Sequence, residues 1–84
     1  MGRNKRIIPA RLGDKLKAIR IDLGLTGEQM IERLNCPLIP LKPGSITRYE
    51  KGLGEPPFVV TLRYARLAGI SMDTLIDDEL DLSL

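Results

Sequence analysis

Residues that end helices recur at short intervals along this chain, and they limit the length of any element it can build. Gly24, Asn35 followed by Pro37, Gly52 and Gly69 each stand where an apolar helical pattern stops. Glycine and asparagine close helices in the left-handed conformation, and proline cannot continue one. Between these stops there is room only for short helices, which must share one core. With no Trp, one Phe and two Tyr in 84 residues, that core is expected to be aliphatic.

The segments between the stops read as helices one by one. Leu12, Leu16, Ile19 and Leu23 fall at i, i+4, i+7 and i+11 and form a single apolar face, with Arg11, Asp14, Lys17 and Asp22 largely off it. Thr26 opens the next helix in the form of a capping box with Gln29, and Glu28 suits the positive end of its dipole. Met30, Ile31 and Leu34 supply its buried face. Residues 36–42 carry two prolines among Leu38, Ile39 and Leu41, which favours an extended connection. Pro43 suits a helix start, and residues 43–51 form the third helix with Ile46 and Tyr49 inward. After a Gly- and Pro-rich turn, residues 58–67 form the fourth, with Val59, Leu62, Ala65 and Leu67 as its buried set. Ser71 caps a short fifth helix containing Met72, Leu75 and Ile76. Residues 80–84 alternate with period two and read as a strand or a frayed tail. The pattern as a whole is an all-α, five-helix domain.

Composition removes several functions. One Cys excludes an internal disulfide, and one Cys with no His leaves neither a common zinc set nor a nucleophile–base pair. No catalytic residue, metal or cofactor is expected, and Cys36 reads as a small half-buried side chain. No apolar run nears the ~18 residues that span a bilayer, and no signal peptide is evident. An intracellular, cytoplasmic binding module is expected. Charge is split along the chain. All thirteen Lys/Arg lie in residues 1–66 with six Asp/Glu, a balance of +7, while residues 67–84 carry five Asp/Glu and no cation. This suggests a basic arm (1–10), a domain that faces a polyanion (11–76) and an acidic tail (77–84).

The second and third helices have the outline of a helix-turn-helix, whose second helix enters the major groove of DNA. Its polar positions are Ser45, Thr47, Arg48 and Lys51, and Arg48 can fork two hydrogen bonds to a guanine edge. Three blocks carry a family resemblance: Leu12-Gly13-Asp14-Lys15-Leu16-Lys17-Ala18-Ile19-Arg20 with Leu23-Gly24-Leu25-Thr26, then Ile46-Thr47-Arg48-Tyr49-Glu50-Lys51-Gly52 with Pro56-Pro57, and Leu67-Ala68-Gly69-Ile70-Ser71-Met72-Asp73-Thr74-Leu75. In this order they resemble the phage-repressor-like (Cro/C1, XRE) helix-turn-helix family. The resemblance implies a lambda-repressor-like fold and a dimeric, sequence-specific transcription regulator, a repressor in type, bound to double-stranded DNA. It implies that Arg20 and Glu50 form a structural ion pair, and that Tyr49 belongs to the core. Lys42, Ser45, Thr47 and Arg48 become base-facing, Lys51 contacts the backbone, and Arg3, Lys5 and Arg6 form an arm around the duplex.

Two departures stand out. The connection over residues 36–42 is about five residues longer than the family's usual turn of three or four, and Leu38, Ile39 and Leu41 either fold onto the core or meet a protein partner. Gly27, Pro43 and Gly44 offer only backbone where the family usually has polar side chains. This keeps open a second function, a protein-interaction module with weak or no specific DNA binding. The acidic Asp73, Asp77, Asp78, Glu79 and Asp81 would be repelled by DNA, and the expected dimer face is the fifth helix with the alternating Leu80, Leu82 and Leu84, which can pair across a two-fold axis.

Overall fold

The computed structural model describes residues 8–84. Five helices follow one another: α1 (Leu12–Asp22), α2 (Gly27–Leu34), α3 (Pro43–Glu50), α4 (Phe58–Ala68) and α5 (Met72–Ile76), with no strand among the described residues. The stops lie where the sequence puts them. Asn35 closes α2 at φ 52° and Gly69 closes α4 at φ 70°, both left-handed. The α2 capping box is complete: Thr26 Oγ1 accepts from the Gln29 N–H at 3.2 Å, and Gln29 Oε1 accepts from the Thr26 N–H at 2.9 Å. Ser71 caps α5 by accepting from the Thr74 N–H.

The helices enclose one core. Leu12, Leu16 and Ile19 enter from α1, Met30 and Leu34 from α2, Ile46 from α3, Val60, Tyr64 and Ala65 from α4, and Leu75 from α5. α3 lies against α1 and α2, and α4 packs on α1, α2 and α5. Each fully buried Leu or Ile contributes about 1.5–3 kcal/mol.

The core is aliphatic as expected but for Tyr64, which is wholly buried and is the largest of the buried side chains. Its hydroxyl has no hydrogen-bond partner among the described residues, and burial together with the Glu50 carboxylate drives its pKa far above the usual phenol value. The expected buried face of α4 is corrected. Val60, Thr61, Tyr64 and Ala65 point inward, while Val59 is 48% exposed and Leu62 and Leu67 are half-buried. Thr61 tolerates burial because its hydroxyl donates to the Pro57 carbonyl at 3.2 Å, so a polar residue holds an inward position. The connection before α3 divides its aliphatics: Ile39 and Leu41 pack against the core, whereas Leu38 is 95% exposed.

The chain after α5 is neither a strand nor a frayed tail, because α1 holds it. Lys15 sits on the inner face of α1 with 3% exposure, and its Nζ donates to the carbonyls of Thr74, Asp77 and Leu80 at 2.7, 2.9 and 2.8 Å. Those three bonds use all the donors of an ammonium group. In return Asp78 caps α1, its two carboxylate oxygens accepting from the Ala10 and Arg11 N–H groups at 2.9 Å each. Arg11 adds a bond to the Asp78 carbonyl at 2.7 Å and an ion pair with Asp81 at 2.8 Å.

The Arg11 and Ala10 N–H groups hold the Asp78 carboxyl below the usual carboxylate range. A carboxyl lowered in the folded state stabilises the fold above its unfolded pKa of about 4 and loses that contribution as pH falls through the folded value. Asp78→Asn is therefore expected to melt at a lower temperature than the parent at neutral pH and to lose less on acidification below about pH 4. Thermal melts across that range check this, and parallel acid slopes for the two proteins would refute it.

Candidate nucleic-acid interface

α3 is a short helix whose inner side is anchored at several points. Pro43 occupies its first turn, and Ser45 Oγ accepts from the Lys42 N–H at 3.2 Å, which fixes the entry. Ile46 is buried and Tyr49 half-buried, and burial raises the Tyr49 phenol pKa. Thr47 turns its hydroxyl back onto the Pro43 carbonyl at 3.3 Å.

At the far end of α3, Arg20 and Glu50 meet in a two-pronged pair, Nε to Oε2 at 2.6 Å and Nη2 to Oε1 at 3.1 Å. The Glu50 side chain is only 8% exposed, and the bond to its carboxylate raises the Arg20 pKa. Arg20 also donates to the Leu25 carbonyl at 3.0 Å, so one guanidinium ties α1 to α3 and to the turn before α2. Bidentate geometry fixes orientation as well as distance.

Gly13 brings the same two helices into backbone contact. A Cβ there would stand 2.7 Å from the Glu50 carbonyl oxygen and 2.9 Å from that of Tyr49. The sequence reading did not single out Gly13 as a contact, although a lone glycine inside an apolar helical stripe is a recognised sign of close packing. Lys15 was missed as well, and its signal was a lysine standing between Leu12 and Leu16 on the inward face.

The residues expected to face DNA come together on the outer side of α3 and at its two ends. Lys42, Thr47, Arg48 and Lys51 are exposed and Ser45 is half-exposed. Glu50, the one carboxylate between Lys42 and Lys51, is turned away into Arg20. Arg48 is exposed on that side, and its Nη2 also donates to the Leu53 carbonyl at 2.9 Å. The start of α2 adjoins that of α3, since a Cβ on Gly27 would lie 3.8 Å from the Pro43 carbonyl oxygen, and the space around Gly44 is open. Arg3, Lys5 and Arg6 lie outside the described residues. Among the described residues no group of His, Cys, Asp and Glu could hold a metal, and no helix is long and apolar enough to cross a membrane.

Two short helices joined by a connection, with the second locked to the helix before them and its polar side outward, define a helix-turn-helix domain, the class that ordinarily binds DNA. Residues 11–78 match the family model described as a helix-turn-helix domain, and the chain belongs to that family. Comparison with curated proteins and with solved structures gave no match.

Two substitutions test how α3 is held. Gly13→Ala raises intrinsic helix propensity, yet its methyl has to push α1 off two backbone carbonyls, so a loss of about 1–3 kcal/mol is expected. Unchanged denaturant midpoints would show that the helices can part at no penalty. Arg20→Ala leaves the Glu50 carboxylate nearly buried and unpaired, for an expected loss of about 3 kcal/mol. In a double-mutant cycle with Glu50→Ala, the absence of coupling would remove the pair from the account of stability.

Proposed function

We propose that this chain is a sequence-specific DNA-binding transcription regulator that acts as a dimer in the cytoplasm, represses by occupying its site, and inserts α3 into the major groove. The observation that carries this reading is the charge of the outer face of α3. Its exposed charged groups are Lys42, Arg48 and Lys51, and the only carboxylate in the segment is consumed by Arg20. A cationic helix face of this kind attracts the phosphate backbone without regard to sequence.

Sequence reading falls to Lys42, Ser45, Thr47 and Arg48. Ser45 accepts from Lys42 and keeps its hydroxyl proton for a base, and Thr47 donates to Pro43 and keeps its lone pairs. Lys51 is assigned to a phosphate, and the arm residues Arg3, Lys5 and Arg6 to phosphates or the minor groove. One such module buries roughly 600–1,000 Å² on DNA, and a two-fold pair that reads adjacent half-sites is the usual route to higher affinity. Leu80 and Leu84 are exposed and available for pairing, whereas Leu82 packs on the core. One observation favours a second reading, a protein-interaction module: Leu38 projects almost fully exposed beside Ile39 and Leu41, as a contact for a partner would.

Selection of bound duplexes from a randomised pool at about 0.15 M salt tests the proposal. The expected result is a two-fold repeat with half-sites about one helical turn apart, recovered in complexes of dimeric sedimentation mass. A pool left without enrichment would turn the assignment toward the protein-interaction module.

A further inference from the structure

We propose that the turn after α3 belongs to the reading surface: the Leu53 carbonyl and the bare α-carbon of Gly54 form a seat that presets Arg48, and Gly54 is a positioning residue for base specificity. The inference rests on the DNA-binding reading above and goes beyond it in assigning a role to a residue that touches no base.

The seat is built from backbone. Arg48 Nη2 donates to the Leu53 carbonyl at 2.9 Å while the Leu53 N–H donates back to the Arg48 carbonyl at 2.9 Å. The Lys51 N–H bonds to the Thr47 carbonyl at 3.0 Å and the Gly52 N–H to that of Tyr49 at 3.2 Å, so the turn is fastened to the last turn of α3 and moves with it. A Cβ on Gly54 would lie 3.7 Å from Arg48 Nε and 3.9 Å from its Cβ and Nη2, so the Arg48 side chain runs alongside that residue.

Backbone conformation does not explain the glycine. Among the described residues the left-handed glycines are Gly24, Gly52 and Gly69, and Gly54 is not one of them. What glycine supplies at residue 54 is room. A methyl at these distances makes ordinary contact, whereas the further carbons of a branched side chain have to share this space with the Arg48 side chain.

The seat leaves the fork usable. A guanidinium has five N–H groups, and Leu53 takes one of them, on Nη2. Nη1 and Nη2 both keep donors for the two acceptors of a guanine edge. An arginine ordered before contact loses less freedom on binding, and a fixed fork rejects a base that does not match it.

The test uses the full chain and four proteins: wild type, Arg48→Ala, Gly54→Ala and Gly54→Val. Each is melted and then put through selection from a randomised duplex pool. Wild type and Gly54→Ala are expected to share one guanine preference. Arg48→Ala and Gly54→Val are expected to lose it at the same position, by about tenfold or more, with the other positions unchanged. If Gly54→Val keeps the preference that Arg48→Ala loses, Gly54 positions nothing. If Arg48→Ala keeps it too, Arg48 does not read that base, and the inference falls while DNA binding stands. A pool from which wild type enriches nothing fails the DNA-binding reading itself. A measurement on wild type alone covers the case in which Gly54→Val melts. The Arg48 guanidinium N–H signals are expected to exchange with water more slowly than those of exposed Arg33, and equal rates would overturn the seat.

Discussion

The approach of α1 to α3 at Gly13, with the carbonyls of Tyr49 and Glu50 where a side chain would otherwise stand, governs how the rest of the domain is arranged. Arg20 lies seven residues further along α1, about two turns away on the same side of the helix. Helical side chains lean toward the N-terminus of their own helix, so Arg20 reaches back along α1 toward α3 and meets Glu50 there. The backbone of Glu50 is thus pressed against one end of α1 while its carboxylate is bonded from the other. One residue of α3 is fixed at two points, which sets both the distance and the rotation of the helix. Ile46, one turn earlier, is buried on the same inner side. Its outer positions are then fixed as well.

The charged side chains of the two parts of the chain serve folding first, mostly by bonding backbone groups of the other part. Lys15 closes the end of α5 by saturating three carbonyls, and Asp78 closes the start of α1, whose own cap residue, Arg11, supplies no side-chain cap. Each end of the fold therefore completes the hydrogen bonding of the other, across 59 to 68 residues of sequence. For DNA binding the consequence is electrostatic. The Asp78 and Asp81 carboxylates are already bonded to groups at the start of α1.

What the sequence made legible was local. Helix stops, the Thr26–Gln29 box, the Pro43 start and the stripe on α1 are signals carried by residues within a few positions of one another, and each corresponds to a feature of the fold. The candidate face on α3 was legible for the same reason, since residues that share a face of one helix are set by its period. The misreadings came from a small count of aromatics at Tyr64 and from polarity at Thr61. Thr61 is polar by name, yet a hydroxyl bonded to its own helix can be buried, and one aromatic ring can fill what several aliphatics would. Lys15 and Asp78 were not legible as a pair because their partners are backbone groups brought near only by the fold. The seat of Arg48 was hidden likewise, since any residue supplies a carbonyl and a glycine does not announce what it makes room for.

The remaining peculiarity of the interface is how bare its first turn is. Packing does not require glycine at the start of α2, where a Cβ would make only ordinary contact with Pro43, and the space at Gly44 is open. The side chains able to act on a ligand are accordingly displaced along α3 toward Thr47, Arg48 and Lys51. That displacement places two cations, Arg48 and Lys51, at the C-terminal end of the helix, where the dipole is negative and carbonyls lack helical partners. Two of the three positions that give the outer face its positive charge therefore stabilise α3 in the absence of any ligand. Lys42, the cap residue at the start of α3, charges the face while opposing the dipole, whereas at the end of the helix the demands of stability and of anion attraction coincide.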